Sequence, residues 1–154
     1  MFSVQTRIVI RRSPEEVFAY VADQTNAPHW QRDLSEVHRV TPGPLRVGSE
    51  HLFVRRFAGR RLESRNRFTR YEPPRIVEFE FPQGWLSGWA SYEVDPVPGG
   101  AALRSSTNLS ARGPARLLEP LLRRVLARDS RRDEERLVAI LQGPDPALAR
   151  GPHR

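Results

Sequence analysis

Cysteine is absent from the 154-residue chain. No disulfide framework, thiolate nucleophile or cysteine-ligated metal is open to it, and a reducing, cytoplasmic setting is the expectation. Lysine is absent too, so all 25 basic residues are arginine. Total replacement of lysine points to a GC-rich coding bias as much as to selection. The net charge of +7 therefore argues weakly for nucleic acid, although a basic surface can attract phosphates or anionic headgroups. No apolar run approaches the roughly 20 residues of a membrane helix. The first ten residues alternate like a strand and lack a signal-peptide core. Also missing are the phosphate-cradling G-x-x-x-x-G-K-S/T, the dinucleotide G-x-G-x-x-G and the nucleophile elbow G-x-S-x-G. The four histidines, His29, His38, His51 and His153, form no pair at zinc spacing. Neither a metal nor a cofactor is expected.

What is present reads as one domain. Phe2, Val4, Thr6, Ile8 and Ile10 alternate with polar neighbours as a first strand. Ser13-Pro14-Glu15-Glu16 is a helix start: a capping serine, proline at the first position, then carboxylates at the positive dipole end. Val17, Phe18 and Val21 give that helix a buried face, and a second short helical turn falls between Asp23 and Arg32. Strands are expected around Val37 and Val40, then over 48–57, 60–71, 75–81, 89–95 and 101–110. Ala58-Gly59 turns the first hairpin. Pro82 to Gly88 is read as a loop carrying Trp85, with Ser87-Gly88 as turn residues.

The register of that hairpin follows from its arginines. Arg61, Glu63, Arg65 and Arg67 must face water, so Leu62, Ser64, Asn66 and Phe68 face inward. A two-residue turn then places Arg55 opposite Leu62, Phe53 opposite Ser64 and His51 opposite Asn66. If Val94 faces in, so do Tyr92, Leu103, Ser105, Thr107 and Leu109. The last periodic stretch predicts a short lead-in over 114–119 and a long helix over 120–142, with a kink at Pro120. Leu118, Leu121, Leu122, Val125 and Leu126 recur at helical spacing, Leu137, Ile140 and Leu141 resume the stripe, Gly113-Pro114 opens the stretch and Gly143-Pro144 closes it; Leu121 and Val125 are read as facing inward. Its arginines and acids read as a solvated, salt-bridged face without the aromatics of a nucleic-acid helix. Residues 143–154, rich in Gly, Pro and Ala, are expected to be a disordered tail.

In this order the chain resembles the START-like superfamily, in its polyketide cyclase/dehydrase and lipid-transport group. The resemblance covers about residues 2–142. It is carried by the opening strand followed by S-P-E-E-V-F-A-Y-V-A-D, by P-H-W at 28–30, V-G-S at 47–49, Y-E-P-P-R at 71–75, Y-E-V-D-P with the glycine pair at 92–100, and the P-L-L-R-R helix from 120. The resemblance implies an α+β helix-grip fold, with a curved antiparallel sheet wrapped around the long C-terminal helix. It also implies an elongated cavity for lipids, polyketides, sterols, hormones or aromatic compounds, and it places Trp30 and Trp85 near the mouth.

The expected lining is apolar with sparse polar groups, the usual composition of a small-molecule site. Phe53, Phe68, Phe79, Tyr92, Leu121 and Val125 supply the walls. Ser64, Asn66, Ser105 and Thr107 are costly in a dry core unless hydrogen-bonded, which a wetted cavity would explain. His51 could be a general acid or base oriented by Asn66, and Arg55 could clamp a carboxylate or enolate oxygen. Trp85, between Gly84 and Gly88, is a gate candidate. The leading expectation is a binder of a hydrophobic or aromatic small molecule. The alternatives are a cyclase or dehydratase using His51, and a basic lipid-carrying module that docks transiently on an anionic membrane or a partner protein.

Overall fold

A computed structural model describes residues 1–57, 59–81 and 84–143. Ala58 of the expected turn, Pro82 and Gln83, and the expected tail from 144 onward lie outside the described residues. The elements run β1 (Phe2–Ile10), α1 (Pro14–Ala22), a first 3-10 helix (Gln24–His29), β2 (Leu34–Arg39), β3 (Glu50–Phe57), β4 (Arg60–Glu72), β5 (Ile76–Phe81), β6 (Leu86–Val97), β7 (Gly100–Ala111), a second 3-10 helix (Gly113–Leu118) and α2 (Glu119–Leu141). The seven strands form one antiparallel sheet in the order β1-β7-β6-β5-β4-β3-β2. β2 to β7 are thus a meander, and β1 closes against its last strand.

Local chemistry explains the elements. The Ser13 side chain accepts from the Glu16 N–H at 3.2 Å and donates to the Glu16 carboxylate at 3.1 Å, an N-cap that starts α1 with Pro14 in its first turn. The hairpin register is the one the arginine pattern predicts: Arg55 pairs with Leu62, Phe53 with Ser64 and His51 with Asn66. On the convex face the strand arginines meet carboxylates on neighbouring strands, as in Arg67–Glu80, Arg65–Glu50 and Arg104–Glu93. Register shifts at Leu34/Glu36 and Phe68/Arg70 bend the sheet.

β6 starts earlier than the sequence suggests, and Ser87 and Gly88 lie within it rather than in a turn. Gly88 is needed there because a Cβ would sit 1.9 Å from the Asn108 carbonyl oxygen on β7.

One core cluster lies on the concave face and includes Trp30, Phe68, Phe79 and Tyr92. Ile10, Val77, Val94, Ala101 and Leu103 of the sheet pack with Val17, Phe18 and Val21 of α1 and with Leu137 and Leu141 of α2. The helix runs along β1 in the same direction: Thr6 donates to Glu134, and the Arg12 guanidinium donates to the Leu141 carbonyl at 2.5 Å. Pro120 does not kink α2. It sits in the first turn, where its missing N–H has no intrahelical partner to lose. No helix among the described residues is long and apolar enough to cross a membrane.

Candidate functional site between the sheet and the long helix

Two contacts fix how α2 faces the sheet. Glu134 meets Thr6 of β1 on one side, and Asp133 accepts from the Arg32 N–H at 3.3 Å on the other. At 3.6 residues per turn, Leu126, Ser130, Leu137 and Leu141 lie between those two directions, and Leu122 lies just beyond Asp133. Leu137 is buried, and Leu122, Leu126 and Ser130 are half-buried. Leu121 and Val125, expected in the lining, stand on the opposite side and are 58% and 41% exposed. The physical reason is that Leu117, Leu118, Leu121, Leu122, Val125 and Leu126 make two stripes, of which the buried anchors Leu137 and Leu141 select one.

Facing the helix, the concave side of the sheet carries a row of rings. His51 stacks on Phe68 at 5.2 Å, Phe68 lies 6.3 Å from Phe79, Phe79 lies 5.8 Å from Tyr92, and Trp30 meets Tyr92 edge-on at 6.1 Å. Each of these side chains is buried, as is Phe53. Trp30 is therefore packed against Tyr92.

The row ends in two polar groups of different character. At one end, His51 and Asn66 face each other across β3 and β4 and are fully buried. Neither ring nitrogen of His51, and neither Nδ2 nor Oδ1 of Asn66, has a hydrogen-bond partner. Burial pushes the His51 pKa down to about 4, with the Arg39 charge adding to the effect, so the imidazole is neutral at physiological pH. At the other end, the Tyr92 hydroxyl accepts from Gln31 at 3.4 Å, and burial raises its pKa. The Glu134 carboxyl is held by Thr6 and Ser105, and burial raises its pKa despite them. Asp133 is pushed up to about 6 by burial, with Asp33 and Asp129 adding to the rise.

The remaining expected residues are distributed as follows. Ser64, Ser105 and Thr107 lie on the concave face and are half-buried. Arg55 holds Asp33 at 3.1 Å and lies over the Phe53 ring at 5.7 Å, so its carboxylate is already supplied by the chain. Trp85 is exposed, and its carbonyl accepts from the Arg112 N–H at 2.8 Å. Two grooves on the described surface lie outside the sheet–helix space. One, of about 420 Å³, is lined by Arg124, Ala127, Arg128, Arg131 and Arg132, and the other, of about 580 Å³, by residues including Arg11, Pro14 and Pro96.

Sequence reading missed Gln31, Asp133 and Glu134, and from an apolar stripe holding Leu121, Leu122, Val125 and Leu126 it took Leu121 and Val125 for the lining. Counting back in helical steps from Leu137 would have recovered Leu122 and Leu126. Nothing in the run D-S-R-R-D-E-E-R singles out which acids turn inward.

A curved antiparallel sheet with a long C-terminal helix and two short helices after the first strand defines a helix-grip protein. The chain belongs to the polyketide cyclase/dehydrase and lipid-transport family, whose model matches residues 1–142. Solved structures share the fold at low identity. TTHA0849 from Thermus thermophilus matches with a TM-score of 0.73 and 16% identity, over 90% of this chain and 98% of that one. The di-domain ARO/CYC BexL from the BE-7585A biosynthetic pathway matches with a TM-score of 0.71 and 15% identity, over 94% of this chain and 51% of that one. Ara h 8.0201 matches with a TM-score of 0.62 and 12% identity, over 88% of this chain and 97% of that one. A search of curated proteins finds no match.

Proposed function

We propose that the chain binds a hydrophobic or aromatic small molecule, lipid- or polyketide-like, between the concave face and α2, with a carbonyl or hydroxyl of the ligand at His51 and Asn66. The observation that carries this reading is the unpartnered pair. Four buried polar atoms without hydrogen bonds are costly in a domain of marginal stability, at about 1–3 kcal/mol per unsatisfied group. A ligand oxygen reaching them would satisfy the groups and recover that cost as affinity. The row of rings beside them offers flat apolar walls. Ser64, Ser105, Thr107, Leu122 and Leu126 are only half-buried, and the proposed ligand passes among them.

Family membership supports the binding class but does not choose between carriage and catalysis. The state of His51 favours carriage. A base held at about pH 4 is too weak to drive proton abstraction well at neutral pH, whereas a neutral imidazole both donates and accepts a hydrogen bond. The test is native mass spectrometry of the purified protein with solvent extraction, followed by titration with a fluorescent apolar probe. A discrete bound compound, displaced by the probe and bound more weakly by Asn66→Leu, is the expected result. A protein that comes out empty and binds no probe would sink the reading. Turnover of a polyketide-like compound that His51→Gln abolishes, with binding intact, would replace carriage with catalysis.

A further inference from the structure

The outward face of α2 and the 3-10 helix before it has no use in the ligand site. Leu117, Leu118, Leu121 and Val125 are 86%, 53%, 58% and 41% exposed. Along the same helix side, Arg124, Arg128 and Arg132 continue the row at three- and four-residue steps. The expected salt-bridged face is not found. Within α2 the ion pair among the described residues is Arg128–Asp129 at 3.3 Å. Asp133 and Glu134 turn inward to Arg32 and Thr6, and Glu135, the exposed acid on the outer side, makes no ion pair among the described residues. Arg123, Arg124, Arg131, Arg132 and Arg136 make no ion pair among the described residues, in contrast to the paired arginines of the convex sheet.

We propose that this face docks on an anionic phospholipid bilayer. Exposed leucines beside unpaired arginines are the composition of a helix that lies in a membrane interface, its apolar side chains among the acyl chains and its cations at the headgroups. Arg124, Arg128, Arg131 and Arg132 frame the groove of about 420 Å³, and guanidinium groups suit bidentate contact with phosphate oxygens. Trp85, 58% exposed, is tied to the start of the segment by the Arg112 N–H at 2.8 Å. An indole at that end favours the headgroup zone. A second copy of the chain fits poorly, because a symmetric contact on the leucines would bring two unpaired arginine sets together. Docking here would lay the N-terminal half of α2, whose inner side carries Leu122 and Leu126, against the lipid from which a ligand would come.

The test is flotation with vesicles of phosphatidylcholine, with and without phosphatidylserine, across a range of salt. Wild-type protein floats with the anionic vesicles and is released as salt rises. Arg124→Glu/Arg131→Glu/Arg132→Glu and Leu118→Ser/Leu121→Ser/Val125→Ser each weaken partitioning at least about tenfold. Both variants change exposed positions, so circular dichroism and interior probe binding stay as in wild type. The proposal falls if wild type ignores anionic vesicles at low salt, binds neutral ones equally, or keeps its affinity in either variant. It also falls if the serine variant instead abolishes a self-association seen by light scattering, which would give the face to a second copy.

Discussion

His51 makes a quantitative prediction about pH and stability. In the unfolded chain its imidazole titrates near its ordinary value of about 6.5; in the folded protein burial holds it to about 4. Below pH 6.5 the unfolded chain therefore takes up a proton here that the folded chain refuses until about pH 4. Stability is lost as pH falls through that window. Integrating between pH 7 and pH 4.5 gives a loss of about 2 kcal/mol from this one residue. The wild-type curve alone does not isolate it, because Asp133 acts in the opposite sense. With its pKa raised to about 6, Asp133 is protonated more readily in the folded state and contributes stability as pH falls toward 4.

The difference between wild type and His51→Gln cancels Asp133 and every other carboxylate. Urea unfolding of both proteins at pH 7 and pH 4.5 should show the gap between them shift by about 2 kcal/mol in favour of the variant. A gap independent of pH would refute the buried, unpartnered histidine. Should the glutamine variant fold poorly, the His51 ring proton shift followed by NMR gives the pKa directly, and a midpoint near 6.5 would be equally damaging.

Replacing both members of the pair, as in His51→Leu/Asn66→Leu, removes the unsatisfied atoms together. It should leave the empty protein as stable or more stable, by up to about 2 kcal/mol in thermal melts, while weakening a ligand bearing a carbonyl or hydroxyl. Asn66→Leu alone leaves His51 unpaired and recovers less. Leu137→Ala, at a fully buried position where α2 meets the core, should cost about 2–5 kcal/mol. Leu121→Ala on the outer side should change stability by less than about 0.5 kcal/mol, and equal costs at the two positions would overturn the helix orientation. Gly88→Ala forces a Cβ to within 1.9 Å of the Asn108 carbonyl, and its unfolding midpoint should drop sharply unless β6 and β7 separate there.

The sheet is legible in the sequence because its convex side is written in arginine. Arg61, Arg65 and Arg67 must face water, and a period of two then assigns Asn66 and Phe68 inward and pairs His51 with Asn66 across the turn. Strand limits are less legible where a glycine means close packing rather than a turn: Gly88 lies inside β6 under the Asn108 carbonyl. The helix is half legible. Its extent follows from its flanking glycine-proline pairs, yet six apolar residues within ten positions support two stripes, and only contact with Thr6 and Arg32 shows that Leu122 and Leu126 face in. For Trp30 the sequence allows a place near a mouth or ordinary packing, and only its burial and edge-on contact with Tyr92 show it packed.

The division of α2 connects these observations. Its C-terminal half is committed: Leu137 and Leu141 are buried, Glu134 is tied to Thr6, and Arg12 bonds the last carbonyls. Its N-terminal half has half-buried leucines on one side and exposed ones on the other. Each leucine left partly exposed forgoes part of the roughly 1.5–3 kcal/mol that full burial would contribute. Apart from its first residue, Glu119, which accepts from the Met1 ammonium and the Ala111 N–H, that half is thus the less stable part of the helix and the easier one to move away from the sheet. A ligand entering toward His51 and Asn66 needs displacement there and nowhere near Leu137. Ligand binding should therefore raise hydrogen-exchange protection at 119–129 and leave 134–141 unchanged; the reverse pattern would place the opening at the α1 end of the sheet.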